Sequence, residues 1–315
     1  MPLPSDEKIV RLANDLLAQL DAIFGLHPGF RAAHAKGIML SGTFTPSSEA
    51  ASLSRAPHIN RGQTSVTVRF SDGTGIPSIP DNVPDSNPKG MAIRFHLGDH
   101  AHTDIVSHST DGFPTRTGED FLDFLRALAT GDPSAFLATH PAALAFVQTP
   151  KPSPASFAKE AYFGVTAFRF INQQGLARYG RYRLVPQAGV EHLDDATAKA
   201  KDANYLLEEL TRRIATASIK FDIDVQAALD GDIVNDATIH WPADRPSIHF
   251  GTIALTAKTP DDESHQRIIF DPIPRVDGIE PSDDPLLELR AAIYLLSGRR
   301  RRQAIASETR IPQTV

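Results

Sequence analysis

The sequence has 315 residues, of which 41% are hydrophobic and 22% are charged, and it contains no cysteine. This composition is typical of a globular chain that forms one large domain or two ordinary ones. The absence of cysteine excludes disulfides, thiolate nucleophiles and thiolate-ligated metal centres, so any redox chemistry would need a non-thiol cofactor. The net charge of −6 argues against a general nucleic-acid-binding protein, which usually carries a basic face.

Two properties of the chain bear on its location. No run of about twenty apolar residues is present, so no segment predicts a membrane-spanning helix. The N-terminus, Met1–Glu7, lacks a basic stretch followed by an apolar one and does not resemble a secretory signal. We therefore expect a cytoplasmic protein with no membrane or nucleic-acid partner; a periplasmic location fits only if a leader has been removed.

Apolar periodicity predicts the elements in chain order. The predicted helices lie at 5–24 with Ser5 as N-cap, across 118–148 with breaks near Pro133 and Pro141, near 202–216, and at about 283–303. The predicted strands lie at 64–70, 91–97, 103–106, 163–171, 177–185, 217–227 and 248–257. Strand clusters interleaved with helices indicate an α+β fold with an antiparallel sheet or barrel at its centre.

Two polar motifs could carry chemistry. His34 stands just before a predicted turn, although a lone histidine is more often a structural residue. Arg290 and Tyr294 are four residues apart and therefore share one face of the last predicted helix. A guanidinium beside a phenol favours the phenolate, which is a hard anionic ligand for ferric iron. Taken alone, however, such a pair is more often a buried tyrosine stacked on an arginine stem.

In order and over most of its length, the chain resembles the haem catalases. The matching segments are Arg31–Gly37, Val68–Ser71, Asn87–Phe95, the block from Asp104 to Phe121, Tyr162–Phe168, Trp241–Ile248 and Gly278–Tyr294. Each match is modest by itself, but their shared order makes the combination specific. Because the chain stops soon after Tyr294, it is most similar to the small catalase-related peroxidases.

This resemblance implies a catalase core, in which helices surround an antiparallel β-barrel. We expect a single catalase-like haem domain over 1–315, with the N-terminal helix in 1–30, the barrel and its inserted helices in 31–270, and the proximal helix and tail in 271–315. The implied cofactor is haem b. The implied partners are a small-molecule peroxide and a reductant, and the expected assembly is a monomer or a homodimer.

The resemblance also implies roles for individual residues. His34 would be the distal acid and base, since an imidazole can exchange protons near neutral pH, and Ser71 would orient it. Tyr294 would be the iron ligand, with Arg290 as its charge partner. The residues expected to contact the porphyrin, its propionates or the distal pocket are Arg31, Arg69, Phe113, Phe121 and Arg301.

Three segments of the sequence depart from the family pattern. His108 stands where catalases carry an asparagine that helps to place hydrogen peroxide, and it is a further catalytic candidate. Asn87-Pro-Lys-Gly90 replaces Asp-Pro-Arg-Gly, which removes a charge near the peroxide channel, and Ala33 replaces a larger valine. These departures favour a haem-dependent peroxidase that reduces hydroperoxides, including organic ones, with weak catalase activity.

Several alternatives stay open at the level of sequence. The same scaffold would suit a true catalase that disproportionates hydrogen peroxide, a hydroperoxide isomerase or dehydratase, or a non-catalytic haem carrier or sensor. A metallohydrolase would instead use His96, His100 and His102 as ligands. That spacing suits a metal site only on a helix, whereas His96 ends a predicted strand.

Overall fold

The computed structural model describes residues 2–260 and 267–308. The parts of the predicted domain that fall on Met1, 261–266 and 309–315, including the end of the tail, lie outside the described residues. Within the described ranges ten strands form one antiparallel sheet, and the predicted α+β fold is confirmed. The strands are β1 (Gly37–Pro46), β2 (Thr64–Ser71), β3 (Gly90–Gly98), β4 (Ala101–His108), β5 (Tyr162–Phe163), β6 (Phe168–Ile171), β7 (Ala177–Pro186), β8 (Ile219–Ala227), β9 (Ser247–Lys258) and β10 (Ile279–Pro281).

The sheet closes into the predicted antiparallel barrel. Strands β1 to β4 pair in sequence, and the ring continues through β5, β7, β8 and β9, which pairs back with β1. Strands β6 and β10 extend the sheet beside β7 and stand outside the ring. The predicted run 163–171 is therefore two strands rather than one. Closure gives the barrel strands a neighbour on both sides and removes exposed sheet edges.

Aromatic side chains fill the interior of the barrel. Phe44, Phe95 and Phe250 are fully buried, and the rings of Phe44 and Phe95 meet edge to face with centroids 5.1 Å apart. The ring of His58 lies among them, 4.8 Å from Phe95. Each buried aromatic contributes about 1.5–3 kcal/mol through removal of apolar surface from water. A barrel packed in this way is a rigid support, so a ligand must bind outside it.

Helices surround the barrel. Within the described residues they are α1 (Glu7–Phe24), α2 (Ala50–Leu53), α3 (Gly118–Ala129), α4 (Ser134–Leu137), α5 (Pro141–Gln148), α6 (Asp195–Lys199), α7 (Tyr205–Thr216) and α8 (Leu286–Glu308). The predicted breaks in 118–148 are confirmed. Asp6 rather than Ser5 caps α1, because its carboxylate accepts a hydrogen bond from the amide of Lys8 at 2.7 Å. None of the helices in this part of the chain is long and apolar enough to cross a membrane.

Helices α1, α3 and α8 pack together outside the barrel. Their contact is an apolar cluster of Ala13, Leu16, Leu122, Leu125, Leu289 and Ala292. Helix α8 begins three residues later than predicted, because Asp284 accepts a hydrogen bond from the amide of Leu286 at 2.9 Å. This packing fixes the position of Arg290 and Tyr294 relative to the barrel.

Candidate active site

A cavity beside the barrel brings most of the predicted site residues together. It encloses about 820 Å³ of empty space, its open mouth included. That volume is in the range of cofactor and small-molecule pockets. The segment before β1, strands β2 and β4, and helix α8 each contribute to its wall. The predicted residues that line it are Arg31, His34, Arg69, Ser71, His108, Arg290, Tyr294 and Arg301.

Three local features hold His34 in one orientation. Its backbone has a φ of 56°, in the left-handed region that residues other than glycine adopt rarely. The Nδ1 atom lies 3.1 Å from Ser71 Oγ. The ring packs against Gly90, where a Cβ atom would lie only 2.8 Å from Nδ1 and 2.7 Å from Ser71 Oγ. A strained backbone that its surroundings maintain in this way is typical of functional residues.

The environment of His34 keeps its imidazole neutral at neutral pH. Its pKa is lowered to about 4, first by burial and then by the charge of Arg69. Arg31 and Arg290 lower the pKa further, whereas a hydrogen bond to the backbone of Asp72 opposes the shift. A hydrogen bond to a backbone group favours a proton on the ring nitrogen that makes it. One nitrogen of the ring is therefore engaged, and the second ring nitrogen is available as a base.

His108 ends β4 and provides a second imidazole in the same cavity. Its Nδ1 atom lies 2.8 Å from Thr110 Oγ1. Its pKa is lowered to about 3, first by burial and then by the charges of Arg290 and His34. Two neutral histidines therefore face one space, and each has one nitrogen bound to a hydroxyl group.

Arg290 and Tyr294 make the contact that their spacing predicts. The Nε and Nη2 atoms of Arg290 donate hydrogen bonds to Tyr294 Oη at 3.4 and 3.3 Å. The guanidinium carbon lies 5.8 Å from the centre of the Tyr294 ring. The phenol oxygen therefore has a cationic donor beside it, and a tyrosine oxygen is a known ligand of ferric iron.

Three further arginines form a cationic end of the cavity. Arg31 and Arg301 donate to the carbonyl of Ile268 at 3.1 and 2.9 Å, and Arg69 donates to the carbonyl of Ala35 at 3.1 Å. Burial lowers the pKa of Arg69 to about 9 and that of Arg301 to about 10, and Arg301 lowers the pKa of Arg69 further. The described lining residues include no Asp or Glu. The donor set therefore fits a ligand with carboxylates at this end and a metal that prefers an anionic oxygen.

Sequence reasoning missed the apolar walls of the cavity. They are formed by Met91, Ala92, Val106, Ile268, Ile269, Phe270 and Ile293. The run Ile268-Ile269-Phe270 was a visible signal, since three consecutive apolar residues follow the polar stretch 261–267. These walls suit the flat apolar faces of a porphyrin, so the residues present fit a haem at both its apolar and its charged parts.

Phe113 and Phe121 lie away from the described lining of the cavity. Their rings pack on each other with centroids 4.9 Å apart. Phe121 packs against the cluster between α1, α3 and α8, and Phe113 packs near Leu286. Their contact with a porphyrin therefore stays a prediction.

The alternative metal site is not formed. His96 and His102 face each other in register on β3 and β4, and His100 lies in the turn between them. Nowhere in 2–260 or 267–308 does a group of three or more His, Cys, Asp or Glu side chains have an arrangement that could hold a metal ion. The metallohydrolase hypothesis is wrong, because a hairpin does not bring the three rings together as a helix would.

Comparison with known proteins decides the family. The sequence profile of the catalase family, described as "Catalase", matches residues 29–310. The chain belongs to the catalase family. Its relatives in that family include the catalase-related peroxidase of Mycolicibacterium paratuberculosis, 37% identical over 284 residues that cover 87% of this chain and 89% of that protein. The catalase-related peroxidase of Synechococcus elongatus is 33% identical over 305 residues, which cover 93% and 89% of the two chains.

Longer members of the catalase family match over a smaller part of their length. The catalase of Vibrio cholerae is 30% identical over 293 residues, which cover 84% of this chain but 57% of that protein. The crystal structure of a fungal catalase superposes with a TM-score of 0.77 at 22% identity, over 91% of this chain and 61% of that one. That likeness shows the fold. The predicted similarity to the small catalase-related peroxidases is confirmed.

Proposed function

We propose that this protein is a haem-dependent peroxidase that reduces hydroperoxides, organic ones included, and has weak catalase activity. The observation that carries the proposal is one cavity that joins two neutral imidazoles to a tyrosine with an arginine partner. The relatives named catalase-related peroxidase, which the chain covers almost fully, support a peroxidase. We include in the proposal a single haem domain over 1–315, a monomer or homodimer, and a cytoplasmic location.

The catalase family implies haem, and the cavity fits haem b. Tyr294 would hold the iron through its phenol oxygen, which Arg290 contacts. Arg31, Arg69 and Arg301 would bind the propionates, and Phe113 and Phe121 are retained as proposed porphyrin contacts. When bound, the haem supplies the redox chemistry, in which a hydroperoxide is reduced by two electrons that a small-molecule reductant later provides.

The distal histidine moves the proton that this reduction requires. Ser71 Oγ lies against Nδ1 of His34, so Nε2 would accept the proton of the incoming hydroperoxide. The same nitrogen returns the proton to the oxygen that departs as alcohol, or as water when the substrate is hydrogen peroxide. Because the pKa of His34 is about 4, the ring begins each cycle as a base at neutral pH.

His108 affects how the cavity positions a second peroxide molecule. Thr110 occupies its Nδ1, so one nitrogen remains for a hydrogen bond to a substrate. The asparagine found at this position in catalases offers both a donor and an acceptor. A second hydrogen peroxide molecule is therefore positioned less well, which supports weak catalase activity beside the peroxidase reaction.

The test compares two activities of the haem-loaded protein. Cumene hydroperoxide with a dye reductant should be turned over, whereas hydrogen peroxide alone should release little oxygen. His34→Gln should keep the haem spectrum and lose turnover by about 10²–10⁴-fold, the range expected for removal of a general acid or base. Vigorous oxygen release without dye oxidation would identify a true catalase. Epoxide or ketol products without reductant would identify an isomerase, and bound haem without peroxide consumption would identify a carrier.

A further inference from the structure

Four charged side chains are buried next to the distal histidine but outside the cavity. They are Lys36, Asp72, Asp81 and Lys89, which are 9%, 1%, 0% and 0% exposed. We call them the buried charge cluster. Buried ions are costly unless they are paired and hydrogen-bonded. The proton transfer described above does not use any of these side chains.

The cluster contains two ion pairs in contact with each other. Lys89 Nζ lies 2.7 Å from Asp72 Oδ1, and Lys36 Nζ lies 2.5 Å from Asp81 Oδ1. Asp81 Oδ2 accepts a hydrogen bond from the amide of Leu206 at 2.8 Å, in the first turn of α7. Asp81 Oδ2 and Asp72 Oδ1 thus each accept a hydrogen bond, whereas Asp81 Oδ1 has Lys36 as an ion-pair partner but no hydrogen bond.

The other oxygen of Asp72 lacks a donor. Among the described residues, Oδ2 of Asp72 is buried with no hydrogen-bond partner, while the Asp81 carboxyl lies within hydrogen-bonding reach of Asp72. Two carboxylates in contact repel each other, but a proton on one turns the repulsion into a hydrogen bond. Burial raises the pKa of Asp72 to about 7, Lys89 opposes the rise and Asp81 adds to it.

Asp72 is connected to His34 through the main chain. It follows Ser71, whose Oγ lies 3.1 Å from His34 Nδ1, and its own backbone is hydrogen-bonded to the same ring. Its amide donates to the carbonyl of Lys36 at 3.1 Å. A shift of the Asp72 side chain within the cluster therefore moves two groups that orient the imidazole.

We propose that Asp72 and Asp81 share one proton, and that Asp72 is a positioning residue whose side chain holds the distal histidine in place while that proton is present. The proposal rests on the function proposed above. Loss of the proton leaves two carboxylates in contact, which displaces Asp72 and with it the groups that orient His34. The charged and titratable groups that face the pair or its lysines are Lys36, Lys89, Arg69, Glu160, Tyr162 and Tyr205.

The expected pH dependence follows from the position of the proton. Turnover of a hydroperoxide should fall about tenfold between pH 6 and pH 8, because the fraction of the pair that holds the proton falls by that factor. Asp72→Asn replaces the shared proton with a permanent N–H donor to Asp81. The variant should turn over the hydroperoxide as fast at pH 8 as at pH 6, without the tenfold fall of the wild type.

Infrared spectroscopy tests the shared proton without haem or substrate. Protein labelled with ¹³C-aspartate should show the carbonyl stretch of a protonated carboxyl at pH 6, and the band should disappear as the pH passes about 7. The band should be absent from Asp72→Asn and from Asp81→Asn, which provides the same test if the first variant fails to fold. Asp104→Asn is the matched control, since Asp104 is buried and paired with Arg94 at 2.6 Å outside the cluster.

Each outcome decides one part of the proposal. A protonated band that persists in both cluster variants, or is never seen in the wild type, overturns the shared proton. A band that behaves as expected, together with an unchanged pH profile in Asp72→Asn, overturns the positioning role. If no form turns over peroxide, the proposed function fails, and the infrared result still decides the shared proton.

Discussion

Two neighbouring regions of this protein bury positive charge in opposite ways. The cavity is lined by four arginines, and its described lining includes no carboxylate. The buried charge cluster, a few residues away along the chain, matches two lysines with two aspartates. The chain thus balances charge where the charge serves its own structure. The described lining of the cavity provides arginines and no carboxylate, which suits an anionic ligand.

The two arrangements differ in what removal of one cation does. In the cluster a lost lysine leaves a buried aspartate without its counter-charge, which is strongly unfavourable. In the cavity, removal of one arginine relieves its repulsion from the other guanidiniums. The loss then shows as weaker ligand binding rather than as lower stability. The comparison therefore separates residues that stabilise the fold from residues that bind the cofactor.

Lys89→Met would remove one ion pair of the buried charge cluster and should give the largest loss of stability. The variant should lose about 3–5 kcal/mol of unfolding free energy at pH 8, because Asp72 without Lys89 must either stay charged and unpaired or bind a proton that the unfolded chain does not bind. Urea unfolding of the apoprotein measures the loss. The double variant Lys89→Met with Asp72→Asn should recover most of it. A loss below about 1 kcal/mol would mean that the cluster is not held by charge pairing.

Arg69→Met would test the cationic end of the cavity. The apoprotein should change by less than about 1 kcal/mol, since the relief of repulsion from Arg301 offsets one lost hydrogen bond. Haem affinity should fall about 10–100-fold, corresponding to one charge-assisted hydrogen bond of about 1.5–3 kcal/mol. Arg94→Met is the matched control. Arg94 is paired with Asp104, so its replacement should destabilise the apoprotein more than Arg69→Met does. Equal losses of stability in the two variants would contradict the comparison.

His58 is a buried titratable group of a third kind, since it stays uncharged. Its pKa is lowered to about 3, first by burial and then by Arg61. The unfolded chain binds a proton near pH 6.5 and the folded one does not. Stability is therefore fully present above pH 6.5, and it is lost by about 1.4 kcal/mol per pH unit as the pH falls between about 6 and 4.

Replacing His58 with phenylalanine should remove that part of the acid sensitivity. The new ring would join Phe44, Phe95 and Phe250, and no buried ring nitrogen would lack a partner. Unfolding free energies at pH 7 and pH 5 provide the measurement, with His34 and His108 contributing the same background slope in both proteins. An unchanged difference between the two pH values would show that His58 is not the group that titrates.

Much of the fold followed from local patterns and from the resemblance. Alternation in Thr64–Ser71 and the helical spacing in α1 are local signals, and both elements form within a residue or two of the prediction. The split of 163–171 was missed, although Gly164, a residue that often interrupts strands, stands at the start of the gap between β5 and β6. The start of α8 depends on which acidic side chain caps it.

The residues of the site could be predicted only where they stand in one recognisable sequence motif. His34 and the Arg290–Tyr294 pair stand in motifs that can be read directly from the sequence. The pairing of Lys36 with Asp81 is different, since it joins residues 45 positions apart, with strands β1 and β2 between them, and no local pattern connects the two. Long-range contacts of this kind depend on the folded path of the chain. For the same reason the wall at Ile268–Phe270 emerged only from the structure.

The position of α8 in the chain has a consequence for how the protein is made. All barrel strands up to β9 precede Lys258, whereas Tyr294 and Arg301 follow much later. At a synthesis rate of about 5–20 residues per second, the 43 residues from Lys258 to Arg301 take about 2–9 s. A nascent chain therefore contains every strand of the barrel before it contains Tyr294. Cofactor capture through Tyr294 is then a late event in biogenesis, after all of the barrel strands have been made.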